Sequence, residues 1–244
     1  MKQIFKLTKQ LTMTMSKIFL TLCLIAGAAF GLCARGKVYH AGIFDKIDVM
    51  GNVNVVYKNV PDSAGMACYY SDTDYSDALE LTNSKGKLTV KEVEGHGFGA
   101  IPTLYVYADY VSQLVNEGDG SLDAEFSSAT PTLSVVLVGN GRVVCSGINA
   151  TEVSAAIRTG HGTIALRGNC NTANFKLTGT GVIQADGLAA ETVKCTVLGT
   201  GSIGCAPGKT LDVRGIGTTK VYYSGSPSIK KVGGATLIPI NVTE

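Results

Sequence analysis

Six polar side chains each stand between two glycines and recur along the chain at nearly even steps: His96, Asp119, Asn140, His161, Thr180 and Thr200. Imidazole, carboxylate and amide groups repeated in this way could hold a sugar by hydrogen bonds or share a metal ion. His96, Asp119, Asn140 and His161 are therefore the candidate ligand-binding residues. Cleavage of a polysaccharide asks for more, namely a pair of carboxylates with one donating a proton and the other accepting or attacking. The acidic residues Asp119, Asp123, Glu125, Glu152, Asp186, Glu191 and Asp212 fall at different places in the pattern, and so do Arg142, Arg158, Arg167 and Arg214. No Ser-His-Asp order and no zinc-type cysteine spacing emerges, and the Gly-x-Gly units lie between strands instead of opening a nucleotide-binding helix. No catalytic residue, metal or cofactor is assigned. Tyr69, Tyr70 and Tyr75 lie in an acidic stretch from Pro61 to Asp77, read as an exposed loop, and are candidates for stacking on a glycan.

What must position these side chains is a repeat. The Gly-x-Gly units begin at Gly95, Gly118, Gly139, Gly160, Gly179, Gly199 and Gly215, giving steps of 23, 21, 21, 19, 20 and 16 residues. Apolar residues stand four and two positions before the first glycine, as at Val135 and Leu137 or Phe175 and Leu177. Others stand two after the second glycine, at Leu122, Val143, Ile164, Ile183 and Ile203. Alternation of this kind marks strands with one face turned inward. Two short strands joined by a sharp bend cannot bury that face alone, whereas stacked units can, each pairing with the next about 4.8 Å along an axis. The middle residues of the bends would then form one column.

The expected fold is all-β, a right-handed β-helix or solenoid with coils of about 20 residues. The step lengths exclude a hexapeptide helix, and the missing Asp after the glycines excludes a calcium-binding nonapeptide roll. Phe44–Tyr57, alternating about Gly51, is expected to be the first coil. Tyr222–Ile240 is expected to close the far end as a hairpin or cap.

Composition agrees with a turn-dense folded chain. Glycine accounts for 30 of 244 residues, proline for only 6, apolar residues for 45 % and charged residues for 16 %. There is no collagen repeat and too much apolar surface for a disordered chain. A net charge of +2, with no basic stripe, gives no footprint for nucleic acid. Lys2, Lys6, Lys9 and Lys17 precede the apolar run from Ile18 to Ala34, so residues 1–34 are expected to be a secretory signal, with Met13 or Met15 as alternative starts. Leu32 before Cys33 and Leu22 before Cys23 lack the small residue that lipidation needs. Residues 35–244 are expected to form one domain with a C-terminal cap and no membrane span. Its five cysteines, Cys68, Cys145, Cys170, Cys195 and Cys205, are read mainly as core filler.

The opening F-D-x-I-x-V-x-G-x-V-x-V at Phe44–Val55, the serial Gly-x-Gly coils and Tyr222-Tyr223-Ser224-Gly225-Ser226-Pro227 together resemble the DUF2807 family, described as putative auto-transporter adhesin, head GIN domain. The resemblance covers roughly residues 38 to 230. It implies a β-helix exported by Gram-negative bacteria, and it brings no catalytic or ligand residues with it. The chain ends at Glu244 without the alternating strands of an outer-membrane barrel, so export by some other route is expected. The expected function is that of an exported, non-enzymatic β-helix of the cell envelope, in the periplasm or at the cell surface. It would bind a glycan or an envelope or host surface protein. The alternatives are a carbohydrate-active β-helix enzyme and a periplasmic scaffold or stress-related protein.

Overall fold

The computed structural model describes residues 36–240, so the expected export signal, residues 1–34, lies outside the described residues. In chain order the strands are β1 (Gly36–His40), β2 (Lys46–Met50), β3 (Val55–Asn59), β4 (Met66–Tyr70), β5 (Leu79–Ser84) and β6 (Lys87–Glu92). There follow β7 (Leu104–Ala108), β8 (Gln113–Glu117), β9 (Ser121–Glu125), β10 (Thr130–Val138) and β11 (Arg142–Thr159). The last are β12 (Thr163–Leu177), β13 (Thr180–Gly217), β14 (Lys220–Tyr223), β15 (Ser228–Gly233) and β16 (Thr236–Pro239). A 3-10 turn, Pro61–Ser63, stands between β3 and β4.

These strands build a β-solenoid of about 6 turns with coils of about 20 residues. Two walls of parallel strands run along its length. On one wall β6, β2, β8, β10 and the second half of β11 stack in register, Ile47 on Leu114 and Leu114 on Val135. On the other, β7, β3, β9 and the first segment of β11 stack, Val55 on Leu122 and Leu122 on Val143. β11, β12 and β13 bend from wall to wall without leaving extended geometry, which is why they are 18, 15 and 38 residues long. The inward residues of both walls, among them Ile47, Leu114, Leu137, Val143, Ile157, Phe175 and Val197, are 0–2 % exposed and form one continuous core. Two polar residues, Asn116 and Thr219, are as fully buried as this core, and the Thr219 hydroxyl donates to the Gly199 carbonyl at 2.8 Å. The Asn116 amide Nδ2 donates to the carbonyls of Gly120 (2.8 Å) and Arg142 (3.3 Å), pinning the bend beside it.

The bends need glycine for two separate reasons. At Gly160 the backbone is left-handed, φ +86°, and a Cβ would collide with the carbonyl of Gly139 in the coil beneath. At Gly118 no unusual φ is involved, yet a Cβ would run into the Gly51 carbonyl. Coils packed at strand spacing leave no room there for any side chain.

The chain departs from its expected path at both ends. Phe44–Tyr57 is the first coil in sequence but not in space. β2 is hydrogen-bonded to β6 on one side and β8 on the other, and β3 lies between β7 and β9. The chain lays down this coil, doubles back to place the β6–β7 coil beneath it, then steps over it to continue. Antiparallel strands cover the near end, with β5 on β6 and β1 on β4 on β7. At the far end the expected hairpin does not form. β15 pairs in parallel with β13 and β16 in parallel with β14, so Tyr222–Ile240 adds a further turn of the coil.

Candidate functional site

The bends bring most of the expected column together. Asn140 sits over Asp119, its backbone N–H and side-chain Nδ2 donating to Asp119 Oδ1 at 3.3 and 3.1 Å. The His161 N–H donates in turn to Asn140 Oδ1 at 3.1 Å, and the Thr180 and Thr200 hydroxyls lie 3.4 Å apart. All five residues are exposed on a ridge along one edge of the solenoid. Much of their hydrogen-bonding capacity is spent on one another, holding successive bends in register.

His96 does not join this ridge. Its Gly95 and Gly97 have open space where a Cβ would point, so no coil packs against them. The ring lies in the loop after β6, with Nε2 3.3 Å from Glu92 Oε1. Nδ1 accepts the Phe98 N–H at 3.0 Å, and the imidazole stacks on the Phe98 ring. The position next to Asp119 in the column belongs instead to Asn52, because Gly118 packs on the Gly51 carbonyl and Gly120 on that of Val53. The Asn52 N–H donates to Glu92 Oε2 at 2.7 Å. Gly51-Asn52-Val53 lacks the second glycine, so the Gly-x-Gly pattern passes it over.

The stretch from Pro61 to Asp77 is not one exposed loop: Met66–Tyr70 is strand β4, paired with β1 and β7, so Tyr69 and Tyr70 are strand residues. Of the three tyrosines, two fold down onto the domain. Tyr69 is 1 % exposed, and its hydroxyl donates to Asp74 Oδ1 at 3.0 Å while accepting the Tyr75 N–H at 2.7 Å. Tyr75 packs edge-on against Tyr69 and tilted against Phe98. Asp74 organises this loop. The Ser76 backbone N–H, followed by the Ser76 hydroxyl, the Lys37 ammonium (3.1 Å) and the Tyr69 hydroxyl, holds its carboxyl well below the usual carboxylate range. A separate cleft of about 330 Å³ is lined by Ile43, Phe44, Pro61, Ala64 and Tyr110 with Asp45 and Asp109.

Several acidic residues take up neighbouring cations or amides. Glu191 pairs with Lys209 at 2.8 Å, Asp212 with Arg214 at 2.8 Å, and Glu152 accepts from Asn174 at 2.7 Å. Asp123 and Glu125 differ, since they stand two residues apart on β9 and share its outer face, about 7 Å from one another by strand geometry. The separation suits a glycosidic pair, but the chemistry does not. Lys58 forms an ion pair with Glu125 and lowers its pKa, which makes this carboxyl an acceptor at neutral pH and a poor proton donor. Among the described residues no group of three His, Cys, Asp or Glu side chains could hold a metal ion.

Around these two carboxylates lies a feature that the glycine pattern does not signal. Strand pairing aligns two rows of outward side chains across four neighbouring strands. One row runs Tyr105, Val56, Asp123, Val144 and the other Tyr107, Lys58, Glu125, Ser146. Between the rows is a shallow depression of about 140 Å³. The depression itself is lined from β3, β9 and β11, and Tyr105 and Tyr107 continue the two rows beyond it on β7. There Tyr70, 37 % exposed, packs edge-on against Tyr105 with ring centres 5.8 Å apart.

The fold recurs in solved structures. A protein from Bacteroides fragilis NCTC 9343 described as a putative adhesin superposes with a TM-score of 0.75 at 22 % identity, over 84 % of this chain and 96 % of its own. One from Parabacteroides distasonis ATCC 8503, described as a putative lipid binding protein, gives 0.68 at 18 % identity, over 85 % and 96 %. A third, a putative adhesin from Parabacteroides merdae ATCC 43184, gives 0.61 at 19 % identity, over 84 % and 95 %. No curated protein matches the sequence. The family model described as putative auto-transporter adhesin, head GIN domain, matches residues 43–227, and the chain belongs to that family, DUF2807.

Proposed function

We propose that the protein is exported and serves in the bacterial cell envelope as a non-enzymatic binding or adhesion module, displayed at the cell surface. The observation that carries this reading is the architecture. A stiff parallel solenoid presents long flat walls and a self-bonded polar ridge, while several of its carboxylates, among them Glu125, Glu152, Glu191 and Asp212, are engaged by cations and amides. Such a surface suits contact with an extended partner better than enclosure of a small substrate. Family membership and the adhesin descriptions of two structural neighbours support it. So does the N-terminal sequence, with its basic residues ahead of an apolar run that closes on small residues.

The test is protease shaving of intact cells carrying an epitope-tagged copy, combined with an attachment assay on a deletion strain. Loss of the tag from intact cells and weaker attachment are expected. A tag that stays protected until the cells are lysed and fractionates with cytoplasm would overturn the proposal.

A further inference from the structure

We infer that the outer-wall groove between the Tyr105 and Tyr107 rows is a saccharide-binding site for a straight, neutral oligosaccharide lying along the solenoid axis. The inference rests on the binding-module reading and assigns it a face and a ligand class.

The rows alternate what a sugar needs. A pyranose offers apolar C–H faces and a rim of hydroxyls, so a site for it combines flat apolar surface with fixed hydrogen-bonding groups. Tyr105 and Tyr107 supply the rings, Val56 and Val144 the apolar floor, and Asp123, Glu125, Lys58 and Ser146 the donors and acceptors. Four strands at about 4.8 Å spacing give a track of roughly 14 Å, room for about three linked rings. The elements are held in advance of any ligand. All four strands belong to the hydrogen-bonded wall, Tyr70 braces Tyr105 from the side, and the Lys58–Glu125 ion pair fixes two polar groups. Prior ordering reduces the entropic cost of binding.

Charge selects among sugars. Lys58 is neutralised by Glu125, which leaves the Asp123 carboxylate as the uncompensated charge of the groove, unfavourable to uronic acids and neutral towards uncharged rings. The open, straight course of the groove matches a β-1,4-linked ribbon better than a coiled or branched glycan.

The experiment is a titration of the protein with cellohexaose, chitohexaose and hexagalacturonate, followed by residue-resolved amide NMR. Saturable shifts confined to β3, β7, β9 and the first segment of β11 are expected with at least one neutral hexamer, and none with hexagalacturonate. Tyr105→Ala should weaken binding at least tenfold and Asp123→Asn severalfold. Tyr105→Phe, which keeps the ring, should stay within about twofold of the parent. Unchanged thermal midpoints would show that each variant is folded. The inference is overturned if neither neutral hexamer saturates at millimolar concentration, if the shifts map elsewhere, if hexagalacturonate binds equally, or if Tyr105→Ala binds like the parent. Those results leave the shaving and attachment test untouched, so the two failures are distinguishable.

Discussion

Asp74 shows how one carboxylate can organise a loop. It accepts the Ser76 N–H and Tyr69 hydroxyl and pairs with Lys37, so its folded pKa is depressed. The stability it contributes is present above the ordinary unfolded carboxylate pKa of about 4 and is lost as pH falls through the lower folded value. Asp74→Asn should therefore destabilise the protein at pH 7 and flatten the decline of the urea midpoint between pH 5 and pH 2. The thiols give a second expectation at this scale. Burial alone pushes Cys170 up to about 11. Cys195 is raised first by its hydrogen bond with Cys205 and then by burial. All five described cysteines are buried, so a disulfide-exchange reagent at pH 8 should leave them unmodified in the native protein and label them in denaturant. The residue types of the ridge were legible from spacing, as Asp119, Asn140 and His161 demonstrate. His96 imitated the pattern without any coil packing on its glycines, while Asn52 occupied a true bend beside Val53. What defines a bend is backbone packed on backbone, and sequence registers this only where both flanking residues happen to be glycine.

Strands and bends were the most legible elements, because alternation and a step near twenty residues follow directly from burying one face of a stacked coil. The structure sharpens which glycines matter. Gly160→Ala places a Cβ against the Gly139 carbonyl at a left-handed φ, and should cost several kcal/mol as backbone strain and displaced coils combine. Gly95→Ala meets open space at φ +73° and should cost only about 1 kcal/mol. Chemical denaturation of the two variants measures the difference, and equal losses would contradict the stacking argument. The outer-wall groove was hidden for a related reason. Tyr105, Lys58, Asp123 and Ser146 are distant in sequence and become neighbours only through strand register. Asp123 and Glu125 read as two scattered acids until β3 and β9 were known to pair.

For the molecule as a whole, the two ends are unlike. The near end is closed by antiparallel β5 and β1, whereas among the described residues no strand covers the outer edges of β15 and β16. Such edges invite another chain to pair. Here β15 carries Lys230 and Lys231, with Lys231 in register with the inward Val213, and β16 ends at Pro239, which lacks an N–H. Charge turned toward the core and a missing donor both discourage continuation of the sheet. The double variant Lys231→Val, Pro239→Val should therefore self-associate with rising concentration in size-exclusion chromatography with light scattering, while the parent's mass stays constant. A constant mass for the variant would mean that other features guard this end.

The interleaved start of the solenoid also bears on when the chain can fold. A polypeptide that emerges N-terminus first delivers β2 and β3 long before the strands that flank them: β2 lacks its second partner until Glu117 has followed, and β3 until Glu125. Early compaction is thus deferred until about half of the sequence is available, after which each new turn adds to a finished template. A chain built this way keeps its N-terminal third open to unfolding for longer, and it locks only once the strands that flank its first coil have arrived.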